Sequence, residues 1–182
     1  MTMELMGPSL ADLYQFCGYR FSLKTTLMLA YQLIERFEYM NDKCFIHRDV
    51  KPDNFLMGLG DKSNICHVVD MGLAKRYIDP VSKSHIAYRN DKSLTGTARY
   101  ASIHSHLGEE LSRRDDFEAI GYVLIYFFKG ELPWQNLQSH SKNSRYRMIK
   151  EQKTQIRNEE LCEDCPIEFY QYMDYCKTLQ FE

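Results

Sequence analysis

The sequence has no long apolar run and no excess of charge of one sign. Its longest apolar stretch, GYVLIYFF at positions 121–128, is far short of the ~20 residues that a membrane-spanning helix needs, so we expect no membrane segment. The formal net charge of −2 gives no reason to expect a nucleic acid or a membrane surface as a partner. No charged-then-apolar leader precedes the first motif, and we therefore expect no secretory signal.

The cysteines are typical of a protein in a reducing compartment, the cytoplasm or the nucleus. Cys162 and Cys165 form a C-x-x-C pair, which leaves a zinc or redox role open. The lack of a second pair and the acidic flanks favour ordinary thiols. The other four have apolar or aromatic neighbours in the sequence and are predicted to be buried: Cys17, Cys44, Cys66 and Cys176.

The spacing of apolar residues predicts one mainly helical domain, in agreement with an apolar share of 44%. A short helix is predicted to start near Ser9, and Ser22 is the predicted N-cap of a long amphipathic helix. Further helices are predicted at 115–130, in the basic stretch 141–157 and from Pro166 onward. The buried face of the long helix is predicted to carry apolar residues three or four positions apart: Leu23, Leu27, Ala30, Ile34, Phe37 and Met40.

Regular β-structure is predicted in one place. The stretches 55–57 and 65–69 read as two short strands, and the GLGDKSN sequence between them predicts a β-hairpin. Segment 71–111 has little periodicity and is predicted to be a functional loop without regular structure. The expected fold class is mainly α with a small β-hairpin.

The stretch FIHRDVKPDNFL at positions 45–56 indicates a chemistry. Its pattern H-R-D-x-K-x-x-N is followed, sixteen residues after Asn54, by a D-x-G sequence that begins at Asp70. Phosphoryl transfer needs such positioned charge rather than covalent help from the protein. In this assignment Asp49 accepts the proton of the attacking hydroxyl, and Lys51 neutralises the γ-phosphate of ATP. The Asn54 amide oxygen and the Asp70 carboxylate hold Mg²⁺, which prefers oxygen ligands. Each residue alone could be an ordinary loop charge, but the joint spacing is specific.

Longer motifs resemble a known family. HRDVKPDN, DMGLA, TGTARYAS and RRDDFEAIGYVLIYF resemble the catalytic loop, metal loop, substrate-binding segment and central helix of eukaryotic protein kinases. More narrowly, LMGPSLADL, HRDVKPDNFLMGLG, LTGTARYASI, SRRDDFE and LPWQ resemble the casein kinase 1 family, which also lacks A-P-E at the end of this segment. The resemblance implies a monomeric serine/threonine protein kinase whose C-terminal lobe occupies residues 1–182, starting at the hinge.

The resemblance also implies roles for individual residues around the catalytic loop. Thr97 is expected to hydrogen-bond beside Asp49 and Lys51, and Asp116 is expected to anchor the backbone of the H-R-D turn. An ATP site is implied by Met3 at the back of the pocket, Glu4 and Met6 in the hinge, Asp12 near the ribose, and Leu56 and Val69 below the adenine.

Members of this family favour substrates that are acidic or already phosphorylated N-terminal to the target residue. Arg99, Lys142 and Arg145 match the positions of the anion site that recognises such groups by charge-assisted hydrogen bonds. Asn136 and Asn143 depart from the family pattern, which predicts a weaker preference. The basic stretch that includes Lys142 and Arg145 could equally be a solvated helix face.

Two parts of a kinase are missing from the sequence. It contains no G-x-G-x-x-G loop and no V-A-I-K strand, so the smaller, N-terminal lobe is expected to be absent and the domain truncated at both ends. We expect the 182 residues alone to have little or no kinase activity. Two explanations stay open: a piece of a working kinase, or a catalytically silent lobe that binds phosphoproteins as a scaffold or decoy. Met71 replaces the usual phenylalanine of D-F-G and is expected to fill its place beneath the metal loop.

Overall fold

The computed structural model describes residues 4–182, with 49% of residues in helices and 7% in strands, so the predicted mainly α fold is confirmed. Within this range, the helices are α1 (Leu10–Phe16), α2 (Leu23–Asp42), α3 (Ile103–Leu107), α4 (Arg113–Lys129), α5 (Lys142–Gln155), α6 (Asn158–Leu161) and α7 (Ile167–Thr178). The strands are β1 (Phe45–Ile46), β2 (Phe55–Met57), β3 (Cys66–Val68) and β4 (Lys75–Arg76). No helix of residues 4–182 is long and apolar enough to cross a membrane.

Helix α4 is the centre of the hydrophobic core. It is buried along most of its length and packs against α2 on one side and α7 on another. Gly121 makes the close approach of α7 possible, because a Cβ at this position would lie only 2.3 Å from the Sδ of Met173. The helix ends at Gly130, which has the left-handed φ of +100° that favours glycine at this point.

Helix α2 has the predicted N-cap but a different buried face. Ser22 Oγ accepts a hydrogen bond from the backbone N–H of Thr25 at 3.1 Å. Leu23 and Leu27, which were predicted to be buried, are 37% and 48% exposed. The prediction was wrong because the first turns of α2 carry apolar residues on two faces. The buried residues of this helix are Thr26, Leu29, Leu33 and Phe37.

The β-structure consists of two small antiparallel sheets. The predicted hairpin is formed by β2 and β3, with Phe55 opposite Val68. The prediction that 71–111 lacks regular structure was wrong, because β4 pairs with β1 and α3 lies near the end of the segment. A two-residue strand and a five-residue helix are too short to produce a periodic pattern in the sequence.

The cysteines are less uniformly buried than predicted. Cys66, Cys162 and Cys176 are buried, but Cys17 is exposed and Cys44 is half-buried. Burial raises the pKa of the Cys162 thiol to about 11. A metal-binding or redox-active cysteine needs a lowered pKa, so the surroundings of the C-x-x-C pair favour an ordinary thiol.

Candidate active site

The H-R-D turn is fixed by a carboxylate that is buried in the central helix. Arg48 has a left-handed φ of 69°, a conformation that persists in a non-glycine residue only where its surroundings hold it. Asp116 on α4 accepts hydrogen bonds from the backbone N–H of His47 at 2.7 Å and of Arg48 at 2.8 Å. Asp116 thus anchors the turn that presents Asp49, as the resemblance implied.

Both carboxylate oxygens of Asp49 accept hydrogen bonds. Lys51 Nζ donates to Oδ2 at 2.7 Å, and Thr97 Oγ1 donates to Oδ1 at 2.8 Å. Burial by itself would raise the pKa of Asp49, but the hydrogen bonds from Lys51 and Thr97 outweigh it and hold the pKa below its ordinary value. The hydrogen bond to Asp49 raises the pKa of Lys51. The pair is therefore ionised at neutral pH.

A glycine lets the substrate-binding segment reach the catalytic loop. Gly96 has a φ of +83°, and a Cβ on it would lie 2.4 Å from the carbonyl oxygen of Arg48. Any side chain here would push the two loops apart. The glycine of the TGT motif therefore brings Thr97 within hydrogen-bonding distance of Asp49.

Asn54 is hydrogen-bonded to the residue before Asp70, and both side chains carry oxygen atoms. The backbone N–H of Val69 donates to the carbonyl oxygen of Asn54 at 2.9 Å, which places the next residue, Asp70, beside the catalytic loop. The Asn54 side-chain nitrogen donates to the carbonyl oxygen of Asp49 at 2.9 Å, so the amide oxygen remains available as a ligand. The charge of Asp70 also contributes to the raised pKa of Lys51.

This donor set fits Mg²⁺. The part of the chain that the structure describes has no cluster of three or more His, Cys, Asp or Glu residues suited to a metal ion. Mg²⁺ does not need such a cluster, because it is usually held by one or two protein ligands while water and substrate phosphate complete its coordination. Asn54 and Asp70 are the two residues that would hold it.

Met71 does not occupy the place expected of it. Its side chain is 48% exposed, although it was predicted to pack beneath the metal loop. The preceding Asp70 has a left-handed φ of 62° and accepts from the Gly72 N–H at 3.2 Å. This turn of the backbone carries the Met71 side chain to the surface of the described chain.

Three of the residues assigned to the ATP site lie on or beside β2. Leu56 is in β2, Met6 precedes the segment 7–9 that pairs with β2, and Val69 follows β3. The N–H of Gly7 donates to the Met57 carbonyl at 2.8 Å, and Ser9 forms a bridge with Leu56. The first segment therefore runs beside Leu56, which is half-buried, as are Met6 and Val69.

Two acidic residues of this set already have partners. Glu4 is exposed and forms a salt bridge with Lys62 at 3.1 Å. Asp12 accepts from the Ser9 hydroxyl at 2.6 Å and completes the capping box of α1. Met3, assigned to the back of the pocket, lies outside the described residues.

The assigned anion-site residues line one groove. Its volume is about 760 Å³, and Arg99, Lys142 and Arg145 all border it. Arg99 lies over the rings of Tyr100 and Tyr126, 5.7 Å from each centroid, which fixes its guanidinium at the edge of the groove. The two other cations lie in the first turn of α5 and are exposed. The structure thus brings together on one surface three cations from two distant parts of the sequence.

Two buried acids that sequence reasoning missed hold the end of the substrate-binding segment. Asp115 accepts from the Ser102 hydroxyl at 2.6 Å, and Glu118 accepts from the Ile103 N–H at 2.9 Å. The SRRDDFE motif contains both acids, but their contacts join residues that are 13 and 15 positions apart. Burial raises the pKa of Asp115 to about 6, although hydrogen bonds from Ser102 and Ser112 oppose the shift.

We expect Asp115 to make the stability of the chain depend on pH. Between its ordinary pKa of 3.8 and its folded value of about 6, the folded chain keeps a proton that the unfolded chain has released. This contribution is therefore fully present below pH 3.8 and is lost as the pH rises through 6. We compare the free energies of unfolding of wild type and Asp115→Asn. The wild-type value should fall by about 2–3 kcal/mol relative to that of the variant from pH 4 to pH 7. Urea denaturation at a series of pH values measures this difference, and a flat difference contradicts the expectation.

One comparison with known proteins identifies the family. The model of the protein kinase domain family matches residues 1–179. The mainly helical fold fits the larger lobe of a kinase, and Asp49, Lys51, Asn54 and Asp70 lie on its loops. The chain belongs to the protein kinase family, whose members transfer phosphate to proteins and generally use ATP and Mg²⁺.

Proposed function

We propose that this protein is a serine/threonine kinase of casein kinase 1 type, which phosphorylates acidic or already phosphorylated proteins. The observation that carries the proposal is the joint engagement of Asp49 by Lys51 and Thr97. A lysine two positions after the base and a threonine from the GT sequence are the pattern of serine/threonine kinases. The casein kinase 1 assignment is supported by the motifs quoted above, which occur along nearly the whole chain.

Each residue of the site has its own role in the proposed phosphate transfer. Asp49 orients the substrate hydroxyl and accepts its proton, and Thr97 keeps the carboxylate in place. Lys51 places a positive charge beside the base, where the transferred phosphoryl group passes. Asn54 and Asp70 would hold Mg²⁺, which when bound would neutralise the phosphate charge. The lowered pKa of Asp49 keeps it ionised and ready to accept a proton at neutral pH.

The substrate preference follows from the groove beside the base. Thr97 and Arg99 border the same cavity as Lys142 and Arg145, so a peptide whose hydroxyl reaches Asp49 can extend past three cations. Guanidinium groups bind phosphate and carboxylate in paired hydrogen bonds, each stronger than a neutral hydrogen bond. Asp53 also borders the groove, and its negative charge opposes an anion at that end. The N-terminal part of a substrate is therefore assigned to the end lined by Arg145.

The proposal predicts a selective loss when Arg145 is replaced by alanine. When this chain is fused to a kinase N-terminal lobe that supplies a glycine-rich loop and a strand lysine, it should transfer phosphate to serine and threonine peptides but not to a matched tyrosine peptide. Arg145→Ala should raise the KM for a phosphorylated peptide about tenfold, the effect of losing roughly 1.4 kcal/mol of binding. The KM for a neutral peptide of the same length should stay unchanged. Steady-state kinetics with these peptides measure each value.

Arg147→Ala is the matched control for this experiment. Arg147 lies two residues further along α5, has a side chain that is 75% exposed, and pairs with Glu151 at 3.6 Å outside the groove. It should leave both KM values unchanged. Equal losses for phosphorylated and neutral peptides in Arg145→Ala contradict the anion-site assignment. Transfer to the tyrosine peptide contradicts the serine/threonine assignment.

A phosphoprotein-binding module is a second candidate function. The observation that favours it is that the cation-lined groove is formed wholly by residues 53–149 of this chain. Binding there needs neither a glycine-rich loop nor a nucleotide. A chain that binds phosphopeptides but transfers no phosphate, even when fused to a kinase N-terminal lobe, would support this function over the enzyme.

A further inference from the structure

Lys153 is a lysine in the core of the protein. It lies in the last turn of α5, is 1% exposed and belongs to the largest fully buried side chains of the described residues. Lysine is almost never fully buried unless its ammonium group has partners. Among residues 4–182, the salt bridges formed by lysines involve other positions, so the partners of Lys153 are of another kind.

The partners of Lys153 are backbone carbonyls and aromatic rings. Its Nζ donates to the carbonyl oxygen of Ala98 at 3.1 Å and also to that of Ala101. The rings of Tyr122 and Trp134 lie 4.5 and 4.8 Å from Nζ, within the range of cation–π attraction. Burial lowers the pKa of Lys153, and Glu118 opposes that shift. Both protonation states of an amine carry enough N–H groups for the two carbonyls.

Trp134 binds the backbone carbonyl of Arg99, which lies between Ala98 and Ala101 in the sequence. Its indole N–H donates to the carbonyl oxygen of Arg99 at 2.7 Å. Lys153 and Trp134 thus bind the carbonyls of residues 98, 99 and 101 between them, and the Ala98 carbonyl also lies 3.0 Å from Nε2 of His106. Because Ala98 keeps its contact with His106, removal of Lys153 would mainly leave the Ala101 carbonyl without its partner, which is costly for a buried carbonyl and would loosen the segment from α5.

Residues 97–101 contribute to both parts of the proposed substrate site, the base and the anion groove. Thr97 at its start binds Asp49, and the side chain of Arg99 borders the anion groove. Lys142 and Arg145 lie at the other end of the same helix α5 that bears Lys153. The spacing between the anion groove and the base therefore depends on how this helix is fixed to the segment.

We propose that Lys153, together with Trp134, is a positioning residue that fixes residues 97–101 to α5 and so sets the distance from the anion groove to Asp49. The part that concerns phosphopeptides rests on the proposed function. Lys153 does not itself border the groove or contact Asp49, and it acts through Ala98, Ala101 and Trp134.

Hydrogen exchange tests the proposal directly on the chain. The N–H groups of Tyr100 and Ala101 donate to the Thr97 carbonyl and report local opening of the segment. Lys153→Met removes the donors and keeps the length of the side chain. We expect exchange in residues 98–102 to rise at least about tenfold while exchange in the buried helix α4 stays unchanged. A merely structural loss would accelerate both regions.

Another lysine of α5 provides a matched control, and the fluorescence of Trp134 provides an optical readout. Lys150→Met alters a half-buried lysine one turn earlier in α5 and should leave exchange in the segment unchanged. Trp134 is the only tryptophan in the sequence, so its emission reports the ring beside Lys153. We expect Lys153→Met, but not Lys150→Met, to shift that emission to longer wavelength, because water reaches the loosened ring.

Phosphopeptide binding tests the consequence for the groove. Lys153→Met should weaken binding of a phosphopeptide about tenfold by fluorescence anisotropy, and the loss should be less than additive with that of Arg145→Ala. Additive losses would mean that Lys153 does not act through the groove and would overturn that part of the proposal. If the wild-type chain binds no phosphopeptide, the proposed anion site fails, and the exchange experiment still decides the role of Lys153.

Unchanged exchange in residues 98–102 of a folded Lys153→Met variant overturns the proposal. If this variant does not fold, Trp134→Phe replaces it, since phenylalanine keeps an aromatic ring near Lys153 but lacks the indole N–H that binds Arg99 and part of the indole volume. Faster exchange in the same segment of Trp134→Phe supports the proposal, and wild-type exchange there overturns it.

Discussion

Replacing Asp49 by asparagine is expected to lower phosphate transfer by at least about 10³-fold, within the range attributed to a positioned general base. The physical reason is that an amide cannot accept the hydroxyl proton and no longer balances the charge of Lys51 at 2.7 Å. Thr97 can still donate to the amide oxygen, so the loop should keep its place. The measurement is kcat for a serine peptide, with and without the substitution, in this chain fused to a kinase N-terminal lobe.

Phosphopeptide binding separates the two candidate functions in the same variant. Asp49→Asn should bind a phosphopeptide as tightly as wild type, because Arg99, Lys142 and Arg145 are unchanged. Asp61→Asn, in the exposed turn between β2 and β3, is the matched charge control and should leave transfer and binding at wild-type levels. If transfer falls less than tenfold in Asp49→Asn, the assignment of the base is wrong.

The largest effect on stability is expected from Asp116→Ala. This carboxylate is 2% exposed and accepts the N–H groups of His47 and Arg48. Its removal leaves two buried N–H groups without an acceptor, at roughly 1–3 kcal/mol each, so the free energy of unfolding should fall by about 4 kcal/mol. The left-handed Arg48 also loses the contact that holds it. Urea denaturation of the chain, followed by far-UV circular dichroism, measures the loss.

Two further variants serve as controls for Asp116→Ala. Asp174→Ala changes an exposed acid on α7 and should alter the free energy of unfolding by less than about 0.5 kcal/mol. Asp116→Asn keeps one acceptor oxygen and should lie between wild type and Asp116→Ala. If Asp116→Ala lowers the free energy of unfolding by less than about 1 kcal/mol, the anchoring role is contradicted. Such a small loss would mean that the turn is stable without this acceptor.

The grouping of the proposed catalytic residues could be predicted because they lie within a short stretch. Asp49, Lys51 and Asn54 are at most five positions apart, so their spacing in the sequence nearly determines their spacing in space. The helix N-caps at Ser9 and Ser22 are equally local, because each involves a contact three residues along the chain. These features were recognised from the sequence, and the structure shows the contacts that they make.

The buried face of α2 and the partners of Lys153 could not be predicted in this way. Apolar residues cover two faces of the first turns of α2, and the choice between them depends on the position of α4. Lys153 lies in a basic stretch that predicts a solvated helix. Its burial depends on carbonyls more than fifty positions earlier in the chain.

The sequence by itself predicted the protein kinase family and the helical class, and it suggested the chemistry that we propose for the H-R-D stretch, because these depend on residue types at short and specific spacing. The tertiary structure decided which cations border one groove, which acid fixes the H-R-D turn and which lysine is buried. Those contacts join residues from about 50 to 70 positions apart, where loop closure and core packing, rather than local preference, select the partners.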